Sequence, residues 1–371
     1  MTLPLVAHFN DFLKNIRLTN NQISELKSAH ETLRTRLEND EELKPVIVGT
    51  FLQGSYKRST AVKPQNGNRS DVDIIVVTNL DKESITPEEA LDKFKPFLER
   101  YYKGKYRKQG RSWGIEMSHV DLDVVPTSAP TEIESMSVVN KFIASDFTSE
   151  VLNDSRYDSE VKLPIEKSIR DALLQFQRTA EYAEWKEEPL YIPNREAEMW
   201  EKTHPLEQIR WTNEKNKSCN GHYLNVVKAL KWWRKVKYPD VKNPKSYPLE
   251  HFIGNCCPDG ILSVAEGIVL TLETIVSQYK NKPFLADRGV PEHDVFARVT
   301  DEEYKAFYEE VEEVATLVRK ALDSSDIVFA VNKWREIFGN EFPPPPEVSS
   351  NSNFTPRSQD SGQLTGSRFA L

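Results

Sequence analysis

Two short segments of this chain carry carboxylates spaced two apart: Ser70-Asp71-Val72-Asp73-Ile74-Ile75-Val76-Val77 and, further on, Val120-Asp121-Leu122-Asp123-Val124-Val125-Pro126. Both are apolar, β-branched runs and read as strands, where residues two apart project from one face. Asp71 and Asp73 therefore share a face, and the later strand supplies a third carboxylate. Like charges gathered in this way repel one another unless a cation neutralises them, and an all-oxygen donor set suits Mg²⁺ or Mn²⁺. Aspartates that merely cap strand ends would sit in loop composition; here Ile, Val and Leu flank them.

Upstream, Thr50-Phe51-Leu52-Gln53-Gly54-Ser55-Tyr56-Lys57-Arg58 sets a glycine and a hydroxyl where backbone N–H groups can hold phosphate oxygens, with Lys57 and Arg58 adding positive charge. Alone, a Gly-Ser pair marks only a turn. Followed by an Asp-x-Asp strand and a third strand aspartate, it reads as a nucleotidyltransferase site that binds a nucleoside triphosphate at Gly54 and Ser55.

This constellation resembles the DNA polymerase β-like nucleotidyltransferase superfamily, whose signature is an apolar residue, Gly-Ser, a spacer and Asp-x-Asp within a strand. The spacer of fifteen residues between Ser55 and Asp71 is longer than is usual there, and the turn-rich Gln65-Asn66-Gly67-Asn68-Arg69 accounts for it. The wording Gly-Ser-Tyr-Lys-Arg-Ser-Thr before Ser-Asp-x-Asp, with Asp-Val-Val-Pro later, resembles the branch of oligoadenylate synthases, cyclic GMP-AMP synthase and bacterial CD-NTases. The resemblance implies two metal ions held by Asp71, Asp73 and Asp123, since the third ligand in that branch directly precedes the Val-Val-Pro step; Asp121 is passed over. It also implies that Lys231, within Val226-Val227-Lys228-Ala229-Leu230-Lys231-Trp232-Trp233-Arg234, and Ser246 hold the triphosphate. Tyr247, which follows Ser246, would stack on the base. Tyr191-Ile192-Pro193-Asn194-Arg195, with Trp200 and Thr203-His204-Pro205, is similar to the segment that leads from the sheet into the second lobe of bacterial CD-NTases.

The resemblance implies an α+β fold of two lobes, a mixed twisted sheet lobe and a helical C-terminal lobe, with the site in the cleft between. Residues 1–210 are expected to form the catalytic lobe with N-terminal bracing helices, 211–340 the helical lobe, and 341–371 a Pro-rich, then polar tail. The implied activity is Mg-dependent synthesis of a cyclic di- or trinucleotide second messenger from ATP, with GTP as a further substrate, in bacterial anti-phage (CBASS) signalling. Transfer of a nucleotide to an RNA or protein acceptor is the alternative that the same site chemistry permits.

The elements that must position these residues show in the periodicity. Strands are expected over 46–52, 71–78 and 120–126. Ile16, Ile23, Leu26, Leu33 and Leu37 fall at helical spacings around a break and cap at Thr19-Asn20, giving two helices that brace the sheet. Thr86-Pro87-Glu88-Glu89 opens one amphipathic helix running to Tyr102. Helical patterns dominate over 164–174, 221–237, 249–253, 261–279 and 301–322. Pro343-Pro344-Pro345-Pro346 is stiff polyproline, and 349–368 holds little to bury, so a disordered tail is expected.

The chain has 371 residues, of which 38% are hydrophobic and 29% charged, enough for a large globular core. No apolar run approaches the length of a membrane span, and Met1-Thr2-Leu3-Pro4 lacks the marks of a signal peptide, so a cytoplasmic protein without a membrane partner is expected. Cys219, Cys256 and Cys257 make no disulfide framework and read as reduced thiols; His251 does not complete a zinc set with them. The net charge of −8 argues against an obligatory DNA or RNA activator. The basic-aromatic stretch Arg100-Tyr101-Tyr102-Lys103-Gly104-Lys105-Tyr106-Arg107-Lys108-Gln109-Gly110-Arg111 reads as a charged hairpin edge. At the C-terminus, the resemblance implies an E1/E2-like conjugating partner recognising Phe369-Ala370, although Leu371 departs from the small final residue expected there.

Overall fold

A computed structural model describes residues 3–65, 67–128 and 189–346. The helical pattern at 164–174 and the polar tail lie outside the described residues. Strands β1 (Ile47–Gln53), β2 (Ser70–Thr78), β3 (Tyr106–Lys108), β4 (Trp113–Glu116) and β5 (Val120–Thr127) form one mixed sheet in the order β1-β2-β5-β4-β3. At its centre β2 and β5 run parallel, and their register sets Asp71 against Asp121 and Asp73 against Asp123. Alternation does the rest. Val72, Ile74, Val76, Leu122 and Val124 enter one core, while Asp71, Asp73 and Asp123 stand on the opposite face, which continues into a small apolar cluster at Ile75 and Val77.

Thr19 caps α2 (Asn20–Asn39) with a reciprocal Thr19–Gln22 capping box, and α2 lays Leu26, Leu33 and Leu37 on the sheet. Its predecessor behaves otherwise. Helix α1 (Leu3–Ile16) does not brace the sheet as expected; Leu5, Phe9, Phe12, Leu13 and Ile16 belong to the helical core. The reason is an aromatic seam far along the chain, where Phe9 meets Trp334 edge-on at 4.9 Å and Phe12 stacks on Phe338 at 4.4 Å.

The segment 87–102 is two helices, α4 (Pro87–Asp92) and α5 (Lys95–Tyr102), not one. Pro96 is the cause, because its ring has no N–H and would collide with the carbonyl of Asp92 in a continuous helix. Between sheet and site lies α3 (Gly54–Lys57), a single turn.

A hairpin of β6 (Leu190–Asn194) and β7 (Met199–Thr203) leads into the helical body: α6 (Pro205–Ser218), α7 (Tyr223–Lys237), α8 (Ser246–Cys256), α9 (Val264–Gln278), α10 (Asp301–Asp323) and α11 (Ile327–Phe338). Sequence reading does not anticipate α6, whose surface is largely charged, nor α11. The body also extends past residue 340. Phe342 is fully buried among Phe9, Phe12 and Phe338, and Pro344 O pairs with His8 Nε2 at 3.0 Å. The cysteines are free and buried. Among the described residues no helix is long and apolar enough to cross a membrane.

Candidate active site

Carboxylate oxygens of Asp71, Asp73 and Asp123 lie within 4.8 Å of one another. Asp121, their neighbour in the register, is drawn aside by Arg69 Nη1 at 3.1 Å. The gathered acids have too little counter-charge and hold protons too tightly. Burial, then Asp73 and Asp123, push the Asp71 carboxyl up to about 8, and burial followed by Asp73 pushes Asp123 up to about 6 against a hydrogen bond from Gln109. Burial raises Asp73 as well, with Arg58 and Lys231 opposing. An all-oxygen trio in want of positive charge fits a hard divalent cation.

Gly54 stands beside this trio at φ +78°. A Cβ there would run into Asp73 Oδ2, so only glycine allows both the left-handed turn and the close approach. Ser55 follows, and both residues line a cleft of about 820 Å³. Their neighbours divide: Lys57 is buried away from the cleft lining, whereas Arg58 is buried yet lines the cleft. Arg58 turns into the helical body, where its Nε donates to Glu250 at 2.7 Å and its guanidinium lies 5.1 Å from the Tyr247 ring centre.

The opposite wall of the cleft is helical. Ser246 is exposed at the first turn of α8, and Tyr247 beside it donates its hydroxyl to Asp287 Oδ2 at 2.7 Å. Lys231 lines the cleft from α7, yet it is only 5% exposed. Its ammonium donates to Thr60 O at 3.0 Å and stands 3.7 Å from Glu250. Burial, with help from Arg58 and Lys235, lowers its pKa to about 8 although Glu250 pulls the other way. The fold thus brings Gly54, Ser55, Asp71, Asp73, Lys231, Ser246 and Tyr247 to one cleft, with Asp123 against Asp73.

Sequence reading missed several participants. Gln109 donates to Asp123 Oδ1 at 3.0 Å and is itself held by Ser112 at 2.5 Å; nothing in its local sequence marks it. Gly114, opposite Asp123 on β4, leaves the room, since a Cβ there would come within 2.5 Å of Gln109 Nε2. Lys235 is exposed on the cleft one helical turn beyond Lys231, and Asp71 is the charge that acts on it; its i+4 spacing was the available signal. Within the basic-aromatic stretch Tyr106–Lys108 form the edge strand β3 while Arg100 belongs to α5, and Arg100 pairs with Asp40 and Glu42, Arg107 with Glu116, Lys108 with Glu88 and Arg111 with Glu201.

The chain is similar to known proteins along nearly its whole length. Residues 1–149 match the Second Messenger Oligonucleotide or Dinucleotide Synthetase domain. A probable cyclic AMP-AMP-GMP nucleotide synthase of Salmonella paratyphi B is 45% identical over 99% of this chain and 100% of its own length. The cyclic AMP-AMP-GMP synthase of Enterobacter hormaechei subsp. hoffmannii (strain UCI 50) is 43% identical over the same shares, 99% and 100%. Among solved structures, the E. coli MS115-1 CdnC with ATP superposes with a TM-score of 0.62 at 14% identity, covering 91% of this chain and 98% of that one. The Vibrio cholerae cyclic AMP-GMP synthase DncV, in complex with nonhydrolyzable GTP, gives 0.61 at 13% identity, covering 89% and 93%.

Proposed function

The chain belongs to the bacterial CD-NTases, nucleotidyltransferases that synthesise cyclic oligonucleotides, and from that premise we propose that it joins ATP and GTP into cyclic AMP-AMP-GMP in anti-phage signalling in the cytoplasm. The observation that carries the reading is the carboxylate trio facing Lys231, Ser246 and Tyr247 across one cleft, in a chain so close to two synthases of that trinucleotide. A relative in Acinetobacter that is named a cyclic AMP-AMP-AMP synthase is more distant, at 32% identity.

In this reading Asp71, Asp73 and Asp123 hold two Mg²⁺ or Mn²⁺ ions. When bound, the ions polarise the donor phosphate and lower the cost of ionising the acceptor hydroxyl. The protein's own groups do the positioning. Backbone N–H groups at Gly54 and Ser55, with Ser246 and the α8 N-terminus, hold phosphate oxygens. Lys231 supplies fixed positive charge behind them, and Tyr247 stacks on the donor base. Gln109 engages Asp123 Oδ1, leaving Oδ2 to take the proton of the acceptor hydroxyl.

Incubating purified protein with labelled ATP, GTP, CTP and UTP and Mg²⁺ or Mn²⁺, then weighing the phosphatase-resistant products, tests the reading. A ring of two AMP and one GMP is expected. Linear products, or label moved to RNA or protein, would sink it. We further propose that an E1/E2-like enzyme reads the C-terminal tail; deleting 349–371 should remove any cellular conjugate and leave basal synthesis intact, and a conjugate that survives the deletion refutes it.

A further inference from the structure

We propose that Glu250 is a positioning residue for nucleotidyl transfer, a single buried carboxylate that fixes the catalytic turn against the donor pocket. This rests on the reading of the cleft as a nucleotidyltransferase site. Glu250 lies on α8, one turn after Ser246, and is 3% exposed. Its Oε1 accepts from Arg58 Nε at 2.7 Å and its Oε2 from Thr60 Oγ1 at 2.7 Å. Both donors follow the Gly54-Ser55 turn in the chain. The same carboxylate stands 3.7 Å from Lys231 Nζ, which in turn donates to Thr60 O. Tyr223 completes the enclosure by donating its hydroxyl to the Glu250 main-chain carbonyl at 3.3 Å.

Every member of this network touches something the reaction needs. Arg58 lies against the ring of Tyr247, Thr60 closes the turn by its N–H to Ser55 O at 2.9 Å, and Lys231 lines the cleft. The charges facing Glu250 are two cations, Arg58 and Lys231, so the cluster keeps one positive charge in excess close to Asp73, where both cations partly offset the burial that raises that carboxyl. Burial would raise the Glu250 carboxyl, but Arg58 and Lys231 outweigh it and keep the group ionised. Without Glu250, two buried cations would repel one another and the turn would lose its shared anchor to α8. A network that merely glued the lobes together would not need to contact the turn, the base platform and the cleft lysine at once.

The test compares Glu250→Gln with the apolar pair Arg58→Met plus Glu250→Leu, using wild-type synthesis from ATP and GTP as reference. Wild-type protein that makes no product counts against the proposed function, not against this inference. For Glu250→Gln, kcat should fall by about 100-fold, a loss larger than any change in KM. The apolar pair should recover part of the thermal midpoint lost in Glu250→Gln, since it removes one of the two cations left without their carboxylate, yet stay about 100-fold slow. Glu250→Gln turning over within about threefold of wild type, or an apolar pair that regains turnover with stability, would overturn the proposal. Should neither variant fold, Thr60→Val removes one hydrogen bond to the same carboxylate: a drop of about fivefold in kcat at unchanged thermal midpoint supports the role, and unchanged kcat refutes it.

Discussion

The carboxylate trio is a place where the fold works against itself. Asp71, Asp73 and Asp123 hold protons that the unfolded chain would release near pH 4, because burial and mutual repulsion favour the neutral forms. Their folded pKa values lie above the unfolded ones, so in metal-free protein this contribution to stability is present below about pH 4 and is lost progressively as pH rises toward about 8. Mg²⁺ takes the place of those protons. Its stabilising effect should therefore be larger at about pH 8.5 than at about pH 6 in thermal melts, and equal effects at both would contradict the assignment. Asn at Asp71 and Asp73 together, or at Asp123 alone, should lower synthesis at least about 1,000-fold with the fold intact. Asp121→Asn should be milder, since that residue pairs with Arg69; the reverse order in a product assay would show that the wrong member of the pair was chosen. In the donor pocket, Tyr247→Ala should weaken a non-hydrolysable ATP analogue by about 1 to 3 kcal/mol through lost stacking. Lys235→Ala should weaken it by about 1 kcal/mol as an exposed cation. Calorimetric titration reads both, and an unchanged affinity returns either residue to the scaffold. The trio was legible in sequence because a period of two in an apolar run leaves few alternatives. The fate of Arg58 was not, since nothing within its own segment says that Glu250 awaits it 192 positions on.

At the scale of elements, local signals succeeded where the controlling interaction is local. The capping boxes at Thr19 and Thr86 start α2 and α4 where the residues say they should. Pro96 splitting α4 from α5 was equally local and readable, but the apolar period running through it masked the break. Helix α1 is a different matter. Its stripe of Phe9, Phe12 and Ile16 requires apolar partners without naming them, and they come from α7 and α11, far along the described chain. Strand β4 carries the clearest prediction at this scale. Gly114→Ala should displace Gln109 from Asp123 and, with the sheet otherwise preserved, lower kcat about tenfold, as Gln109→Ala should. A Gly114→Ala enzyme with full turnover in a steady-state assay would mean that Asp123 needs no such partner.

The whole molecule is acidic, and four of the six basic residues in its basic-aromatic stretch, Arg100, Arg107, Lys108 and Arg111, are held in ion pairs. Long duplex DNA or RNA should therefore change the rate of synthesis by less than about twofold at physiological salt. A large stimulation that weakens as salt is added would instead make Lys103, Lys105, Arg107 and Arg111 a sensing surface. The helical body also imposes an order on synthesis. Phe9 and Phe12 leave the ribosome well before Trp334 and Phe338, against which they pack and which emerge roughly 320 residues later. At about 5 to 20 residues per second, that is a wait of roughly 15 to 65 seconds. During that interval the aromatic side of α1 lacks its α11 partners, while α2 and the sheet can already form. The aromatic seam of the helical body therefore cannot close until Trp334 and Phe338 have been made.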